Sequence, residues 1–341
     1  MRSMKCVILA AGLGSRLQPF TSHRPKQMLP VGGKPILLHG LEYIRDKLEI
    51  KDVIIVVGHQ RQNIIDYFGD GEKFGVKITY VIQHFNSKRG LAAALQLVEE
   101  YINSDFCLYL ADNLFGADLR KVLDEHRENR PSVTLHVEEH ENPSRFGVVI
   151  TDDDNNITGV IEKPKNPPSN LVITGFYVFS PIIFSAMGKL KPSKRGEYEL
   201  TDAIQILIDE GKKVRASTIS GWRQDFGYAD DILSSNKHLM KEWGTTINSK
   251  LENCQIIEPV YVGKDCTLKN SIIGPYATLG DEVIVEDSII SETVILDDSI
   301  IINCKIANSV IGSKCKLEGL VNYNLRVGDY AQIKLTNGSD K

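Results

Sequence analysis

Cysteines and long apolar runs are scarce in this chain of 341 residues. The six cysteines form no Cys-x-x-Cys pair, and several lie in apolar runs, so we interpret them as reduced packing residues. The long uncharged stretch 171–187 is interrupted by Thr174, Gly175, Ser180 and Pro181, so it predicts a strand, a turn and the start of a helix rather than a membrane span. No secretory signal is recognisable, and we expect a cytoplasmic protein.

The chain also lacks an excess of positive charge. Its 40 Lys and Arg residues are outnumbered by 44 Asp and Glu residues, giving a net charge of -4. This balance argues against nucleic acid or a membrane as partner, and it leaves room for a local basic pocket that binds a small anion. With 42% hydrophobic residues the chain can build ample core, and its length favours two domains.

Two common nucleotide-binding motifs are missing. Gly-x-x-x-x-Gly-Lys-Ser/Thr is absent, and Leu17 stands where a dinucleotide fingerprint would place its third glycine. The chain does contain an apolar run at 6–9 that leads into Gly12-x-Gly14, with Arg16 and Lys26 close behind. Glycines let backbone N–H groups approach an oxyanion, and the two cations add fixed positive charge. The pattern therefore predicts a phosphate-binding loop, with an ordinary strand-to-helix turn as the alternative.

Up to about residue 243, β-rich runs alternate with amphipathic stretches. Strands are predicted at 53–57, 77–82 and 106–111, and helices at 36–48, 60–68 and 90–102. Such repeated βα units predict an α/β domain of Rossmann-like type, with a mixed, mostly parallel sheet. Ligands of these sheets bind beyond the carboxyl ends of the strands, where we expect the glycine loop, Gln83 and Asp112 to converge.

Beyond Gly244 aliphatic residues recur at spacings of five or six. Recurrent aliphatic-glycine steps accompany them, at Val262-Gly263, Ile273-Gly274, Leu279-Gly280 and Ile311-Gly312. A hexapeptide repeat of this kind predicts a left-handed parallel β-helix. The alternative is an antiparallel sheet, whose alternation with period two would not produce these steps. We therefore predict two domains, at 1–243 and 244–341.

The stretch Leu-Ala-Ala-Gly-x-Gly-Ser-Arg-Leu, with Pro-Lys-x-x-x-Pro-Val behind it, resembles the sugar-1-phosphate nucleotidyltransferases, and among them the glucose-1-phosphate thymidylyltransferases with a C-terminal β-helix. This family joins a nucleoside triphosphate to a sugar 1-phosphate and releases pyrophosphate. The resemblance implies that Arg16 and Lys26 are catalytic. It implies that these residues bind the nucleotide: Leu9, Ala10, Ala11, Gly12, Gly14, Ser15, Gln83 and Gly90. Ser15 replaces the family's usual threonine and keeps the hydroxyl.

Two acids are similar to the family's metal ligands. Asp112 ends the predicted strand 106–111, and Asp225 lies in the segment Trp-Arg-Gln-Asp-Phe-Gly. The resemblance implies that they bind Mg²⁺, a cation that takes one or two carboxylates plus phosphate oxygens. Taken alone, Asp112 would be read as a helix N-cap. Phe226 stands where relatives commonly have threonine, so the resemblance does not define the local geometry there.

Further segments in colinear order resemble the family's sugar-binding side. The resemblance implies that Glu162 binds sugar hydroxyls, that Lys163 and Arg195 bind the sugar phosphate, and that Gly147 and Gly175 let the sugar ring approach the backbone. As isolated residues, Glu162 and Lys163 would be a solvated ion pair. Gln83 and Gly90 could likewise be a surface glutamine and the start of a helix.

Two alternatives remain beside a thymidylyl- or uridylyltransferase acting on a sugar 1-phosphate. One is a non-catalytic regulatory subunit with the same two domains, against which the presence of Arg16, Lys26, Asp112 and Asp225 argues. The other is a bifunctional N-acetylglucosamine-1-phosphate uridylyltransferase whose β-helix transfers an acetyl group. That chemistry uses a histidine base, and the histidines end at His238. We therefore expect the β-helix to be a scaffold that supports a homo-oligomer.

Overall fold

The computed structural model describes residues 4–335, which form two compact units. The first unit contains residues 4–12 and His39–Arg223. The second contains the segment Leu13–Leu38 together with residues 224–335. This grouping places Leu13–Leu38 and 224–243 with the repeat region. The domain boundaries drawn from the sequence, 1–243 and 244–341, stay a prediction about the organisation of the chain.

The helices include one in each of the predicted stretches 36–48, 60–68 and 90–102. They are α1 (Ile36–Asp46), α2 (Arg61–Phe68), α3 (Leu91–Gln96), α4 (Arg120–Asn129), α5 (Ile182–Met187), α6 (Leu200–Asp209) and α7 (Ala229–Trp243). The helix predicted at 90–102 is shorter, because the chain tightens after Gln96: Val98 N–H donates to Leu95 O, three residues back, and a 3₁₀ turn follows at Glu99–Tyr101. None of the helices within residues 4–335 is long and apolar enough to cross a membrane.

Short strands make up the rest of the regular structure. Before the repeat region they are β1 (Lys5–Ala10), β2 (Pro30–Val31), β3 (Lys34–Pro35), β4 (Asp52–Val57), β5 (Lys77–Ile82), β6 (Phe106–Leu110), β7 (Asn113–Phe115), β8 (Val133–Glu139), β9 (Gly147–Thr151), β10 (Ile157–Glu162), β11 (Leu171–Phe179), β12 (Val214–Ser217) and β13 (Arg223–Asp225). In the repeat region they are β14 (Thr246–Ile247), β15 (Leu251–Glu252), β16 (Gln255–Ile256), β17 (Val260–Val262), β18 (Thr267–Lys269), β19 (Ile272–Ile273), β20 (Ala277–Leu279), β21 (Ile284–Glu286), β22 (Ile289–Ser291), β23 (Val294–Ile295), β24 (Ile300–Ile302), β25 (Lys305–Ala307), β26 (Val310–Ile311), β27 (Lys316–Glu318), β28 (Val321–Tyr323), β29 (Arg326–Val327) and β30 (Gln332–Lys334).

The first unit is built on one mixed sheet, in the order β10-β9-β11-β6-β1-β4-β5, with β8 pairing β11 and β12. β6, β1, β4 and β5 run parallel, and β11 is antiparallel to β6, β8 and β9. β4 has an apolar run instead of alternation, because both of its faces are covered: residues 53–57 are all buried. β5 lies at the edge of the sheet and is only partly buried. The predicted α/β class with a mixed, mostly parallel sheet is confirmed.

The repeat region of the second unit stacks short parallel strands in three sheets, the arrangement of a left-handed β-helix, as predicted. Strands of successive coils pair so that an inward-facing residue of one coil lies beside the equivalent inward-facing residue of the next. One such column contains Val262, Leu279, Ile295, Ile311 and Val327. The first four of these side chains are fully buried. The aliphatic recurrence seen in the sequence is therefore the lining of the β-helix interior.

The corners of the β-helix explain why its repeat tolerates so many polar residues. Each coil turns through a residue with positive φ, and one corner column contains Asn253, Asn270, Asp287 and Asn303. Asn and Asp adopt this left-handed conformation more readily than other side chains. Corner hydroxyls also satisfy backbone donors of the next coil: Ser288 Oγ accepts from Cys304 N–H at 2.9 Å.

A buried histidine makes the stability of the first unit depend on pH. His136 on β8 has Nε2 2.9 Å from the Ile219 carbonyl oxygen and Nδ1 2.7 Å from Thr174 Oγ1. Burial lowers the pKa of His136, and the hydrogen bond to Ile219 acts in the opposite direction. Since the unfolded chain binds this proton more readily, stability is fully present above the unfolded pKa of about 6.5 and declines as pH falls below it.

We therefore expect the free energy of unfolding to decrease between pH 7.5 and pH 5, and to decrease less in His136→Gln. Urea unfolding followed by circular dichroism measures both. His59→Gln, which changes an exposed histidine, is the matched control and should keep the wild-type pH dependence. An identical pH dependence in His136→Gln and the wild type would contradict this account.

Candidate active site

Several of the predicted nucleotide-binding residues and one predicted metal ligand lie at one edge of the first unit's sheet. Ala11 and Gly12 follow β1, Gln83 follows β5 and Asp112 follows β6. These strands are parallel, so their carboxyl ends share an edge, as expected from the sequence. Leu9 and Ala10 belong to β1 itself and are buried, so they would offer a ligand only their backbone.

The amide of Gln83 is held in place by its own loop. Gln83 N–H donates to the Val57 carbonyl at 2.8 Å, and the side-chain Nε2 donates to the Lys88 carbonyl at 3.1 Å. The side chain is half-buried. A fixed amide plane suits the donor and acceptor pattern of a pyrimidine edge, although base recognition by Gln83 stays a prediction.

Asp112 is not a helix N-cap, because the chain passes from it directly into β7. Its Oδ1 accepts a hydrogen bond from Asn113 Nδ2 at 3.1 Å. Asn113 Oδ1 in turn accepts from Arg223 Nη1 at 3.0 Å, and Arg223 Nη2 lies 2.5 Å from Glu138 Oε1. This network of buried or half-buried polar groups orients the Asp112 carboxylate. Its role as a metal ligand stays a prediction.

Gly175 lies on β11 beside the same network. Its φ is +101°, and a Cβ there would lie 3.1 Å from Asn113 Nδ2 and 3.2 Å from Leu110 Cδ1. The pairing of β11 with β8 shifts register between Ile173 and Tyr177, on either side of this glycine. Gly175 is therefore required by the local backbone, whether or not a sugar approaches it.

Gly90 packs against the backbone of the segment that carries Arg195. A Cβ on Gly90 would lie 2.3 Å from the Tyr198 carbonyl oxygen and 2.6 Å from its nitrogen. The two segments are joined by hydrogen bonds, from Tyr198 N–H to the Arg89 carbonyl at 2.7 Å and from Ala92 N–H to the Tyr198 carbonyl at 3.1 Å. Gly90 thus connects a predicted nucleotide-binding segment to a predicted sugar-phosphate segment.

We expect Gly90→Ala to destabilise the protein by at least about 3 kcal/mol, because φ +106° and ψ 162° form a conformation restricted to glycine and the new methyl group would collide with Tyr198. Gly211→Ala is the matched control: its φ is +73°, and no described atom lies within 4 Å of a Cβ there. The control should cost about 1 kcal/mol through backbone strain alone. Urea unfolding measures the difference, and equal losses in the two variants would contradict the packing argument.

The predicted sugar-phosphate residues form a charged cluster around Glu162. Glu162 Oε1 lies 3.4 Å from Lys163 Nζ and 3.5 Å from Arg195 Nη1, and Oε2 accepts a hydrogen bond from Thr201 Oγ1 at 3.2 Å. A Cβ on Gly147 would lie 3.3 Å from the same Oε2. The structure therefore brings these four predicted residues together, and it adds Thr201.

Further carboxylates surround Arg195. Glu197 Oε2 lies 2.8 Å and Glu199 Oε1 3.6 Å from its guanidinium nitrogens. Burial raises the pKa of Glu199, which Ser193 counteracts by donating a hydrogen bond to its carboxylate. Burial also raises the pKa of Asp202, and the charge of Glu162 adds to that effect. Carboxylates thus surround the Arg195 guanidinium, and its role in binding a sugar phosphate stays a prediction.

The glycine turn with Arg16 and Lys26 belongs to the second unit. Gly14 has a φ of +64°, and its carbonyl accepts from Thr21 Oγ1 at 2.9 Å. A Cβ on Gly14 would lie 3.1 Å from Lys26 Cβ, so the glycine lets the two arms of the loop approach each other. Ser15 is exposed in the short 3₁₀ turn Ser15–Leu17.

Arg16 lies beside the segment that follows Asp225. Its guanidinium carbon is 5.4 Å from the centroid of the Tyr228 ring. That segment is anchored by α7, since Asp231 Oδ2 accepts from the N–H groups of Gly227 at 2.8 Å and Tyr228 at 2.6 Å. Phe226, where relatives commonly have threonine, is fully buried and acts as a core residue of this unit.

The donor chemistry of the two predicted metal ligands fits Mg²⁺. Asp112 and Asp225 are both half-buried carboxylates. Within residues 4–335 no cluster of three or more His, Cys, Asp or Glu could hold a metal ion. Carboxylate oxygens are ligands that Mg²⁺ takes together with water and phosphate oxygens, and the assignment of Asp112 and Asp225 as its ligands stays a prediction.

Sequence reasoning missed Arg223, Glu138, Thr201 and Tyr198. The first two form a side-chain ion pair 85 positions apart in the chain, and no pattern in the sequence marks that separation. The sequence offered one signal for Arg223 and Thr201, their closeness to predicted site residues. Arg223 lies two residues before Asp225, and Thr201 lies in the segment between Arg195 and Asp202.

Comparison with known proteins gives a consistent result. The family model described as nucleotidyl transferase matches residues 5–242. The UTP–glucose-1-phosphate uridylyltransferase AglF of Haloferax volcanii is 46% identical over 241 residues, covering 70% of this chain and 98% of that protein. A glucose-1-phosphate thymidylyltransferase of Streptomyces griseus is 36% identical over 292 residues, covering 80% of this chain and 81% of that protein. A crystal structure of a UDP-glucose pyrophosphorylase with UDP-glucose superposes with a TM-score of 0.64 at 27% identity, covering 70% of this chain and 99% of that one.

Proposed function

Since the chain belongs to the nucleotidyl transferase family of sugar-1-phosphate nucleotidyltransferases, we propose that it transfers a nucleotidyl group from UTP or dTTP to glucose 1-phosphate and releases pyrophosphate. Relatives named as enzymes of both nucleotide types support the proposal. The observation that carries it is the cluster of Glu162 with Lys163, Arg195 and Gly147. It combines an acceptor for hydroxyl groups with two cations for a phosphate.

In the proposed reaction an oxygen of the sugar phosphate attacks the α-phosphorus of the nucleotide. A new phosphorus–oxygen bond forms while the bond between the α-phosphorus and the bridging oxygen breaks, and pyrophosphate departs with that electron pair. No proton must move, because the attacking phosphate oxygen is already ionised. The protein therefore contributes position and charge.

Charged side chains account for that contribution. Lys163 and Arg195 orient the attacking phosphate, while Glu162 accepts hydrogen bonds from sugar hydroxyls. Arg16 and Lys26 stabilise negative charge on the triphosphate. The backbone from Leu9 to Ser15 would approach the phosphates, and Gln83 and Gly90 would contact the base.

Asp112 and Asp225 are the residues that would hold Mg²⁺ in this proposal. When bound, the ion would neutralise charge on the triphosphate oxygens. The Asn113, Arg223 and Glu138 network keeps the Asp112 carboxylate oriented for that role.

A panel of nucleotides against sugar phosphates tests the proposal. Pyrophosphate release would be measured with UTP, dTTP, CTP, ATP and GTP, each with glucose, galactose and N-acetylglucosamine 1-phosphates. We expect kcat/KM to be highest for UTP or dTTP with glucose 1-phosphate. A lack of pyrophosphate with every pair would contradict catalysis and support a regulatory subunit, and CoA release from acetyl-CoA with glucosamine 1-phosphate would support a bifunctional enzyme.

A further inference from the structure

The segment that carries Arg16 and Lys26 is attached near its middle to the last coils of the β-helix by a largely buried ion pair. Arg24 Nη2 lies 3.1 Å from Asp329 Oδ2 and donates to Ser313 Oγ at 2.9 Å. The Asp329 side chain is 1% exposed and that of Arg24 is 20% exposed. A Cβ on Gly328 would lie 2.7 Å from Pro19 Cβ, so the backbone of the same coil also packs against the segment.

A second part of the segment, at Gly32 and Gly33, is held at the first coils and at α7. Gly32 N–H donates to Asn236 Oδ1 at 3.0 Å, and the same oxygen accepts from Thr278 Oγ1 at 2.7 Å. A Cβ on Gly33 would fall 2.2 Å from Tyr261 Cζ, so the Tyr261 ring lies directly on this glycine. The turn between β2 and β3 is therefore held in a defined position against the β-helix and α7.

These two attachments are far apart along the β-helix. Tyr261 lies on β17, and Asp329 lies just beyond Gly328 after β29 in the stack β17-β20-β23-β26-β29. Strands of a sheet are about 4.8 Å apart, so four steps cover roughly 19 Å. Lys26 lies between the two attachments, and Arg16 lies shortly before Pro19, on a segment that is fixed at two places to a stack of hydrogen-bonded coils. Their position is thereby coupled to the β-helix.

Asp329 is suited to transmit this coupling, because it is held by the β-helix itself. Its Oδ1 accepts from Ser313 N–H at 2.8 Å, one step of the ladder that joins the last coils. Arg24 belongs to the segment, and its Nε has no hydrogen-bond partner within the described structure. Loss of the Asp329 charge would leave a guanidinium largely buried and poorly satisfied, so the segment would shift while the coils keep their own pairing.

We propose that the β-helix positions the phosphate loop, and that Asp329 acts through Arg24 as a positioning residue for the nucleoside triphosphate. This inference rests on the proposed function. It gives the repeat region a role in substrate binding within its own chain, in addition to the expected role in assembly. Asp329 touches no substrate, since its effect reaches Arg16 and Lys26 through the backbone of the segment.

The test is a set of full-length variants assayed by pyrophosphate release, with KM measured separately for each substrate. For Asp329→Asn we expect the KM for the nucleotide to rise at least tenfold while the KM for the sugar phosphate changes less than twofold. Arg24→Lys, which keeps the charge and loses the planar donor pair, should lie between Asp329→Asn and the wild type. The matched control is Glu292→Gln, which removes another carboxylate of the β-helix. Glu292 Oε2 lies 3.6 Å from Nζ of Lys237 on α7. This control should leave both constants unchanged.

The double variant Arg24→Met/Asp329→Asn separates positioning from stability. It leaves no unpaired buried charge, so it should recover thermal stability if Asp329→Asn has lost any, and it should keep the raised nucleotide KM. Recovery of both properties together would assign the pair a purely structural role and overturn the inference, as would an unchanged nucleotide KM in Asp329→Asn. A wild type that releases no pyrophosphate would instead contradict the proposed function.

Discussion

Replacing either Arg16 or Lys26 by alanine should lower kcat/KM by about 10²–10³-fold, the usual cost of removing one charged or dipolar group that stabilises developing charge. Arg16 is exposed and Lys26 half-buried, so neither side chain is needed to fill the core. The loss should appear in pyrophosphate release with saturating sugar phosphate. Circular dichroism and thermal unfolding should show that both variants remain folded.

Controls separate charge from packing at Lys26. Lys26→Met keeps the stem that approaches Gly14 and removes the ammonium group, so it should be as inactive as Lys26→Ala. Lys269→Ala removes a lysine of the same unit that pairs with Glu252 on the surface of the β-helix, N···O 3.3 Å, and it should retain full activity. Near-normal turnover in Arg16→Ala or Lys26→Ala would overturn the assignment of that residue.

Removal of divalent cations should abolish activity altogether, and added Mg²⁺ should restore it. We expect Asp112→Asn and Asp225→Asn each to raise the Mg²⁺ concentration for half-maximal activity by about 10–100-fold, because each removes an anionic oxygen ligand. A Mg²⁺ titration of initial rates after treatment with a chelator measures this. Asp124→Asn, which changes an exposed acid paired with Arg127, is the matched control and should titrate like the wild type.

Two outcomes would contradict the metal assignment. Full activity in chelator would exclude a required divalent ion. An unchanged Mg²⁺ titration in both aspartate variants would leave Asp112 as part of the network with Asn113 and Arg223, and Asp225 as part of the segment before α7.

Local patterns in the sequence were sufficient for much of the fold. Apolar runs at 53–57 and 77–82 predicted strands of a mostly parallel sheet, and β4 and β5 have nearly the same bounds. The recurrence of aliphatic residues after Gly244 predicted the β-helix, because each coil repeats one inward position within 16 or 17 residues. The order of strands and loops also placed Gly12, Gln83 and Asp112 at the carboxyl edge of the sheet.

Local reasoning was less successful where the packing partner is distant in the chain. The sequence allowed a ligand or a helix start at Gly90, whereas the structure shows that the backbone of Tyr198 requires this glycine. Phe226 left the geometry near Asp225 undefined, and the structure buries it completely. The helix predicted at 90–102 also ended early, for a local reason: apolar spacing does not reveal where an α-helix tightens into a 3₁₀ turn.

The sequence by itself determined the fold class, the repeat and the family, because each depends on residues that recur with a period or stand close together in a motif. The tertiary structure alone decided which charges meet. It paired Arg223 with Glu138, and it joined Arg24 to Asp329 across 305 positions. Such pairs form because a buried charge without a partner is costly in free energy, and this pairing produces no periodic pattern in the sequence.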